Sequence, residues 1–238
     1  VKQYWSVYDF YQKTKLNLSK SEALQKLDEL INASVKYRMI SDVPIGCFLS
    51  GGYDSSLVAA IMQKNSHKKI KTFCIGFDDA NYDETQYARL ISEYLGTEHT
   101  EYTCTSQDAL DILPDLPDIL DEPMSDTSII PTLIVSRIAK KKVTVSLSGD
   151  GGDELFGGYD SYSRAIRLNS LIQNIPHRKA ISKSLSQISK LAPNFSKFSR
   201  RLNRVSNILL SENSLQVRNA LSNTFLPNDV KKLLVNKG

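Results

Sequence analysis

The sequence is poor in cysteine and has no long hydrophobic run, and each absence narrows what the chain can be. Its three cysteines, Cys47, Cys74 and Cys104, include no Cys-x-x-Cys pair, which argues against a zinc centre or a redox motif. No stretch approaches the roughly 18 to 20 consecutive apolar residues that a membrane-spanning helix needs. Residues 1–5 do not have the pattern of a signal peptide. We therefore expect a cytoplasmic protein that has no membrane partner.

Acidic residues are absent from one part of the chain, and this uneven charge predicts a boundary. The formal net charge is only +4. Residues 1–160 hold 16 Lys and Arg against 24 Asp and Glu, whereas residues 161–210 hold 10 basic residues and no acidic one. A basic surface can bind nucleic acid, but we interpret this segment as helices with a solvated face or a face that docks against acidic surface. We predict a boundary near residue 160 and no nucleic-acid partner.

A glycine turn at residues 49–56, called the first loop below, has the pattern of an anion-binding loop. The apolar residues 43–49 before it predict a strand, and residues 57–62 after it favour a helix. Gly51 and Gly52 let backbone N–H groups approach a ligand, and the positive end of the following helix favours phosphate. The turn lacks both the Gly-Lys-Ser/Thr of a Walker loop and the G-x-G-x-x-G of a dinucleotide-binding loop.

A plainer interpretation of the first loop stays open at this point. A Gly-Gly turn between a strand and a helix often only makes a tight connection. In that case Asp54, Ser55 or Ser56 would cap the helix without meeting a ligand.

The rest of the pattern predicts an α/β fold. Helices are predicted over 20–40, from the first loop to 65, and over 83–95, 108–113 and 129–140, and strands over 44–49, 69–77, 98–103 and 142–147. The acidic, proline-interrupted residues 115–128 are predicted to form a loop. Strands that alternate with helices form a parallel sheet with helices on both faces, and ligands bind at the carboxyl ends of such strands.

A second glycine-rich segment, residues 148–159, follows the fourth predicted strand and is called the second loop. Both loops lie at the same edge of the predicted sheet, which favours a nucleotide site over two plain connections. Carboxylates that face a polyphosphate need a cation between them, and Mg²⁺ binds through one or two carboxylates, waters and phosphate oxygens. We predict Asp54 and Asp153 as metal ligands. Asp153 and Glu154 could alternatively cap the turn that follows them.

The two loops together resemble a known family. The sequence S-G-G-Y-D-S at residues 50–55 is similar to the S-G-G-x-D-S pyrophosphate loop of PP-loop ATP pyrophosphatases. The sequence S-G-D-G-G-D-E-L-F-G-G-Y at residues 148–159 resembles the second signature of the asparagine synthetases. The similarity covers residues 1–160. It implies a sheet of the adenine-nucleotide alpha hydrolase type, followed by a helical C-terminal part.

The resemblance also implies roles for individual residues. Those that would hold pyrophosphate and metal are Ser50, Gly51, Gly52, Asp54 and Ser55, with Asp153 as the second metal ligand. Those that would contact the rest of ATP are Leu49, Ile75, Ser148 and Gly149. Asp150 falls where many relatives place a catalytic acid, commonly Glu, that is important for adenylate formation.

The function implied by the resemblance is ATP-dependent amidation of a carboxylate through an acyl-adenylate. With aspartate as the acceptor, the intermediate is β-aspartyl-AMP and the products are asparagine, AMP and pyrophosphate. Ammonia would come from a glutaminase domain that this chain does not contain. Residues 1–18 would then be the linker from that domain, residues 19–160 the ATP-binding synthetase domain, and residues 161–238 a truncated basic helical extension.

Two alternatives and one question of assembly stay open. The chain could belong to a PP-loop amidotransferase that acts on another carboxylate, such as a sugar acid or a peptide. It could also be a nucleotide-binding module without catalytic activity. A homodimer is compatible with the sequence, which does not specify an oligomeric state.

Overall fold

The structure is a computed structural model that describes residues 2–79, 83–122, 124, 126–191 and 197–222. The chain divides into two compact units, of which the first ends at Asp150 and the second begins at Gly151. This division falls earlier than the change of charge near residue 160. It lies inside the second loop, so the two parts of that loop are described with their own units.

The first unit alternates helices and strands as the sequence predicts. Its helices are α1 (Val7–Tyr11), α2 (Lys20–Met39), α3 (Tyr53–Lys64), α4 (Thr85–Leu95), α5 (Ser106–Ile112), α6 (Leu116–Ile119) and α7 (Ile129–Ala139). Its strands are β1 (Ile45–Phe48), β2 (Lys71–Phe77), β3 (Glu98–Cys104) and β4 (Val145–Leu147). The predicted strands and long helices are confirmed, with ends that differ by a few residues.

The prediction of a continuous loop at residues 115–128 is wrong in part. A 3₁₀ turn at Leu113–Asp115 is followed directly by α6. Pro114 and Pro117 both lie in the first turn of their elements, where a missing N–H costs no hydrogen bond and the fixed φ suits a helix. Proline in a sequence pattern usually indicates a helix break, whereas these two prolines begin short helical turns.

The four strands of the described chain form a parallel sheet in the order β3-β2-β1-β4. β1, β2 and β3 lie side by side in chain order, and β4 pairs with the other side of β1. The predicted α/β class is therefore confirmed, and the strand order reverses at β1. In open parallel sheets such a reversal opens a crevice at the carboxyl ends of the two strands concerned.

Helices cover both faces of this sheet, because each face carries its own hydrophobic cluster. One cluster joins Cys47 and Cys74 of the sheet to apolar residues of α2, α3 and α4. The other face packs Phe73 of β2 against Val135 and Ala139 of α7. Burial raises the pKa of the Cys47 and Cys74 thiols to about 12, which keeps them as unreactive core residues.

The ends of two helices follow directly from their sequences. Ser19 caps α2: its Oγ accepts the Glu22 N–H at 3.3 Å, and the Glu22 carboxylate accepts the Ser19 N–H at 2.8 Å. This reciprocal pair is the predicted capping box. Gly96 ends α4 with φ of 71°, a left-handed conformation that glycine adopts without strain.

His99 is a structural residue of β3. Its side chain is only 10% exposed, and its Nδ1 lies 2.8 Å from the Thr72 Oγ1 on the neighbouring strand. Burial lowers the pKa of His99, and the nearby Glu101 carboxylate opposes that shift only in part. The imidazole ring of His99 is therefore neutral and packed against β2, as expected for a structural histidine.

The second unit is helical as far as it is described. Its helices are α8 (Gly152–Phe156), α9 (Asp160–Gln173), α10 (Arg178–Leu191), α11 (Lys197–Leu210) and α12 (Ser214–Ser222). Buried serines join α10 to α11, with 2.9 Å between the Oγ atoms of Ser182 and Ser206. Part of the predicted extension, residues 192–196 and 223–238, lies outside the described residues. Throughout the described chain, no helix combines the length and the apolar character needed to cross a membrane.

Replacing the α2 cap should weaken the first unit measurably. We expect Ser19→Ala to lower the free energy of unfolding by about 1 kcal/mol, because the Glu22 N–H loses its acceptor. Urea unfolding followed by circular dichroism measures the change. Ser21→Ala, two residues further along at an exposed position in the first turn of α2, is the control, and equal losses in both variants would contradict the capping account.

The buried His99 should make stability depend on pH. The unfolded chain binds a proton below about pH 6.5, whereas folded His99 resists it, so stability is present above that pH and falls as the pH drops. We expect the loss between pH 7.5 and 5.5 to be smaller in His99→Gln than in wild type, by about 1 kcal/mol. His67→Gln, at an exposed position, should follow wild type. An unchanged pH dependence in His99→Gln would contradict this account.

Candidate nucleotide site

The candidate site lies at the carboxyl ends of β1 and β4, where the strand order reverses. β1 leads into the first loop, and its neighbour β4 leads into Ser148 and Gly149. The two strands pair in parallel from Ile45 and Val145 to Cys47 and Leu147. Both loops therefore leave the sheet side by side, which is the placement that the sequence predicted for a ligand site.

The first loop is closed by its own hydroxyl groups. The Ser50 Oγ and the Ser55 Oγ lie 3.0 Å apart. The Ser55 Oγ also accepts the Ser50 N–H at 3.3 Å and donates to the Gly52 carbonyl at 3.3 Å. These bonds hold the S-G-G-Y-D-S segment against the start of α3.

The start of α3 offers free backbone donors. Its N-cap is Gly52, and no side chain caps it. The N–H groups of Tyr53, Asp54 and Ser55 have no acceptor inside the helix, because the first helical bond runs from the Ser56 N–H to the Gly52 carbonyl. Uncapped N–H groups and the helix dipole together favour an anion at this point.

The prediction that Asp54, Ser55 or Ser56 caps this helix is wrong. The helix begins at Tyr53, so all three residues lie inside its first turns rather than before them. The N-cap position itself is occupied by Gly52, and no side chain accepts the first N–H groups of the helix. The half-buried Asp54 is thereby left without a capping role.

Gly51 is the point where the first loop meets α4. Its φ is +86°, and a Cβ there would lie 2.6 Å from the Tyr87 Cβ and 2.7 Å from the Ala88 N. Only glycine combines this left-handed backbone with so close an approach. The sequence analysis named Gly51 but not Tyr87 or Ala88, because neither belongs to a motif and their contact with the loop depends on helix packing.

Gly149 brings the second loop against the first. A Cβ at this position would lie 2.7 Å from the Ser55 N and 2.9 Å from the Asp54 Cβ. The backbone of Gly149 therefore packs directly on the first turn of α3, beside its uncapped N–H groups. Within the first unit, the structure thus joins the predicted residues of both loops in one place.

The remaining predicted site residues of the first unit differ in how exposed they are. Ser148 Oγ donates to the Asp150 carboxylate at 2.8 Å, and both residues are exposed. Ile75 is half-buried on β2. The Leu49 side chain is 1% exposed in the core, so only its backbone is free to face a nucleotide. The bond of Leu49 N–H to the Phe73 carbonyl, at 2.9 Å, fixes that backbone to the sheet.

Glycines shape the part of the second loop that lies in the second unit. The short helix α8 begins after Gly151, with φ of 89°, and ends at Gly157, with φ of 70°. At Gly158 a Cβ would overlap the carboxylate of Asp153, and the Gly158 N–H donates to the Asp153 carbonyl at 3.0 Å. The sequence analysis described residues 148–159 only as a loop and did not foresee α8.

The donor set suits magnesium more than a tightly caged metal. Across the described ranges, no three His, Cys, Asp or Glu side chains cluster in a way that could hold a metal ion. Mg²⁺ does not need such a cluster, because it binds proteins through one or two carboxylates and completes its shell with phosphate oxygens and water. Asp54 fits that role chemically, since it lies in the first turn of α3 beside uncapped N–H groups.

Comparison with known proteins agrees with the two motifs. The asparagine synthase family model matches residues 26–231. The chain belongs to the asparagine synthase family.

Individual relatives match most of the chain but only part of their own length. A Methanocaldococcus jannaschii protein carrying a glutamine-hydrolysing asparagine synthetase name is 41% identical over 177 residues, which are 73% of this chain and 33% of that protein. The glutamine-hydrolysing asparagine synthetase 1 of Bacillus subtilis is 36% identical over 170 residues, or 71% of this chain and 26% of its own. The chain therefore spans about a quarter to a third of these relatives.

Among solved structures, the chain is similar to an ammonia-dependent NAD synthetase from Campylobacter jejuni. The identity is 15% and the TM-score 0.40, over 88% of this chain and 99% of that one. This degree of similarity does not bear on function, so the family assignment depends on the sequence match and on the two loops.

The two adjacent glycines of the first loop should respond very differently to alanine. We expect Gly51→Ala to lower the free energy of unfolding by about 3 kcal/mol or more, from left-handed strain and overlap with α4. Gly52→Ala should cost only about 1 kcal/mol, because its Cβ would meet only the Ser50 Oγ at 3.4 Å and alanine is a poor N-cap. Urea unfolding of both variants measures this, and equal losses would contradict the described packing.

Proposed function

We propose that this chain is the ATP-binding synthetase part of an enzyme that amidates a carboxylate, with aspartate as the acceptor. The observation that supports this most is the contact of Gly149 with the uncapped start of α3. It places the pyrophosphate-loop motif and the asparagine synthetase motif side by side, in a chain of the asparagine synthase family.

The chemistry explains why ATP is needed. A carboxylate is a poor acyl donor, because its oxygen leaves only with great difficulty. In the proposed reaction, a carboxylate oxygen attacks the α-phosphorus of ATP, forms an acyl-adenylate and releases pyrophosphate. Ammonia then attacks the carbonyl carbon, loses a proton and displaces AMP, which gives the amide.

The first loop would act on the leaving pyrophosphate. Its negative charge grows as the bond to the α-phosphorus breaks, and preorganised donors stabilise growing charge best. The first-turn N–H groups of Tyr53, Asp54 and Ser55 supply such donors, and the hydroxyl pair of Ser50 and Ser55 keeps the loop in shape. In this proposal the anion of the first loop is pyrophosphate and not a transferred γ-phosphate.

The acidic residues would serve two purposes. Asp54 and Asp153 would hold Mg²⁺, which when bound neutralises phosphate charge and assists departure of pyrophosphate. Asp150, held by the Ser148 hydroxyl at 2.8 Å, would act near the acceptor during adenylate formation. It is shorter than the glutamate that many relatives carry there, so its carboxylate would reach less far.

Ammonia would reach this site from another part of the protein. The relatives are named as glutamine-hydrolysing enzymes, and this chain matches only a portion of their length. We propose that residues 19–160 carry the ATP site and that a glutaminase domain elsewhere in the full-length protein supplies nitrogen.

The test is ATP–pyrophosphate exchange by the full-length gene product, with aspartate, other carboxylic acids or no acid. We expect exchange with aspartate, and a loss of about 10²-fold or more in Asp54→Asn and Asp153→Asn, because pyrophosphate loses its counter-charge. Asp118→Asn, an exposed carboxylate in α6, is the matched control and should exchange like wild type.

Each negative result has a definite meaning. Exchange with a sugar acid or peptide carboxylate, but not with aspartate, would contradict the proposed acceptor and keep the adenylation chemistry. No exchange with any acid, combined with ATP·Mg²⁺ binding in calorimetry, would favour a non-catalytic nucleotide-binding module. Full activity in Asp54→Asn and Asp153→Asn would contradict the assignment of both carboxylates.

A further inference from the structure

We infer that Arg218, on α12, is a positioning residue for residues 151–159 of the second loop and so for the carboxylate of Asp153. The inference rests on the proposed function for its catalytic meaning. Arg218 lies outside both sequence motifs, and its role follows from four linked contacts within the second unit.

The first contact fixes α12 against α9. Val217, directly before Arg218, is 0% exposed and shares a hydrophobic cluster with Ala165 and Ile172 of α9. Ala220 on the same helix is also buried. Because Val217 and Ala220 anchor this part of α12 in the core, the backbone that carries Arg218 has little freedom.

The second contact joins Arg218 to two aromatic residues, one at the end of the second loop and one just after it. The Arg218 guanidinium lies over the Tyr162 ring, with 4.8 Å from its central carbon to the ring centre. Tyr162 in turn meets Tyr159 edge-to-face, with 5.5 Å between ring centres and an interplanar angle of 74°. Cation–π and edge-to-face contacts are both directional, so Arg218 sets the position of two rings.

The third contact joins Tyr159 to the acidic end of α8. The Tyr159 hydroxyl donates to the Glu154 carboxylate at 2.7 Å. The bond ties the ring of Tyr159 to the first turn of α8, next to Asp153.

The fourth contact reaches Asp153 through the chain itself. Gly158 precedes Tyr159, its N–H donates to the Asp153 carbonyl, and a Cβ at this position would overlap the Asp153 carboxylate. A displacement of Tyr159 therefore also displaces Gly158, which lies next to the Asp153 carboxylate. Arg218 acts on Asp153 through this series and does not touch it.

One feature of Arg218 argues against a role in stability alone. Its Nε–H is buried and has no hydrogen-bond partner among the residues that the structure describes. A buried donor without an acceptor costs free energy, so the side chain is not optimised for stability alone. The guanidinium instead contacts the Tyr162 ring.

The experiment combines hydrogen exchange with kinetics on the full-length protein. In Arg218→Ala we expect amide exchange of residues 152–159 to accelerate about tenfold, with α10 and α11 unchanged. We also expect the Mg²⁺ concentration for half-maximal ATP–pyrophosphate exchange to rise about fivefold, with little change in kcat. Arg218→Lys should recover part of both effects, and Arg167→Ala, an exposed arginine of α9, should match wild type.

The outcomes separate this inference from the proposed function. If wild type shows no ATP–pyrophosphate exchange, the proposed function fails, while local acceleration at residues 152–159 would still support the role of Arg218 in the loop. If Arg218→Ala matches wild type in both measurements, the inference is wrong. If protection is lost equally in α10 and α11, Arg218 stabilises the whole unit, and the positioning role is contradicted.

Discussion

The candidate site depends on one close backbone contact, between Gly149 and the first turn of α3. No side chain fits between them, since a Cβ on Gly149 would lie 2.7 Å from the Ser55 N. This contact brings the backbone that follows β4 against the helix that follows β1. It also keeps side chains away from the N–H groups of α3, which stay free for an anion. Gly51, in the first loop, makes a similarly close contact with α4.

Under the proposed function, these contacts bring two kinds of ligand group to one edge of an α/β sheet. The strand order reverses at β1, so the first loop and the start of the second leave the sheet as neighbours. In the proposed site the first loop would supply donors and a helix dipole, and the second would supply carboxylates. Neither set would hold a polyphosphate well alone, because donors without a cation leave much of its charge unpaired and carboxylates alone repel it.

Much of this arrangement could be predicted from the sequence, because local patterns specify it. The capping box at Ser19, the left-handed Gly96 and the strand–glycine–helix pattern at Gly51 each require particular residues in a short stretch. Strand alternation then placed both loops at one edge. The fold class, the family and the neighbouring positions of the two loops in the first unit followed from those patterns.

Other features depend on packing and were not accessible to the same reasoning. The plainer interpretation of the first loop had Asp54, Ser55 or Ser56 as the cap of α3, because side chains are the usual caps, whereas the helix begins at Tyr53 and Gly52 is its N-cap. Residues 116–119 were predicted as loop, because proline was read as a breaker. Tyr87, Ala88 and Arg218 carry no motif, and their relation to the loops exists only once helices pack.

The central claim is that the carboxylate of the acceptor attacks the α-phosphorus of ATP. The most direct measurement supplies the full-length protein with aspartate labelled with oxygen-18 in its side-chain carboxylate, together with ATP, Mg²⁺ and ammonium. The account predicts transfer of one oxygen-18 atom into AMP, because the bridging oxygen of the acyl-adenylate leaves with it. Oxygen-18 in orthophosphate, or product formation with unlabelled AMP, would contradict it.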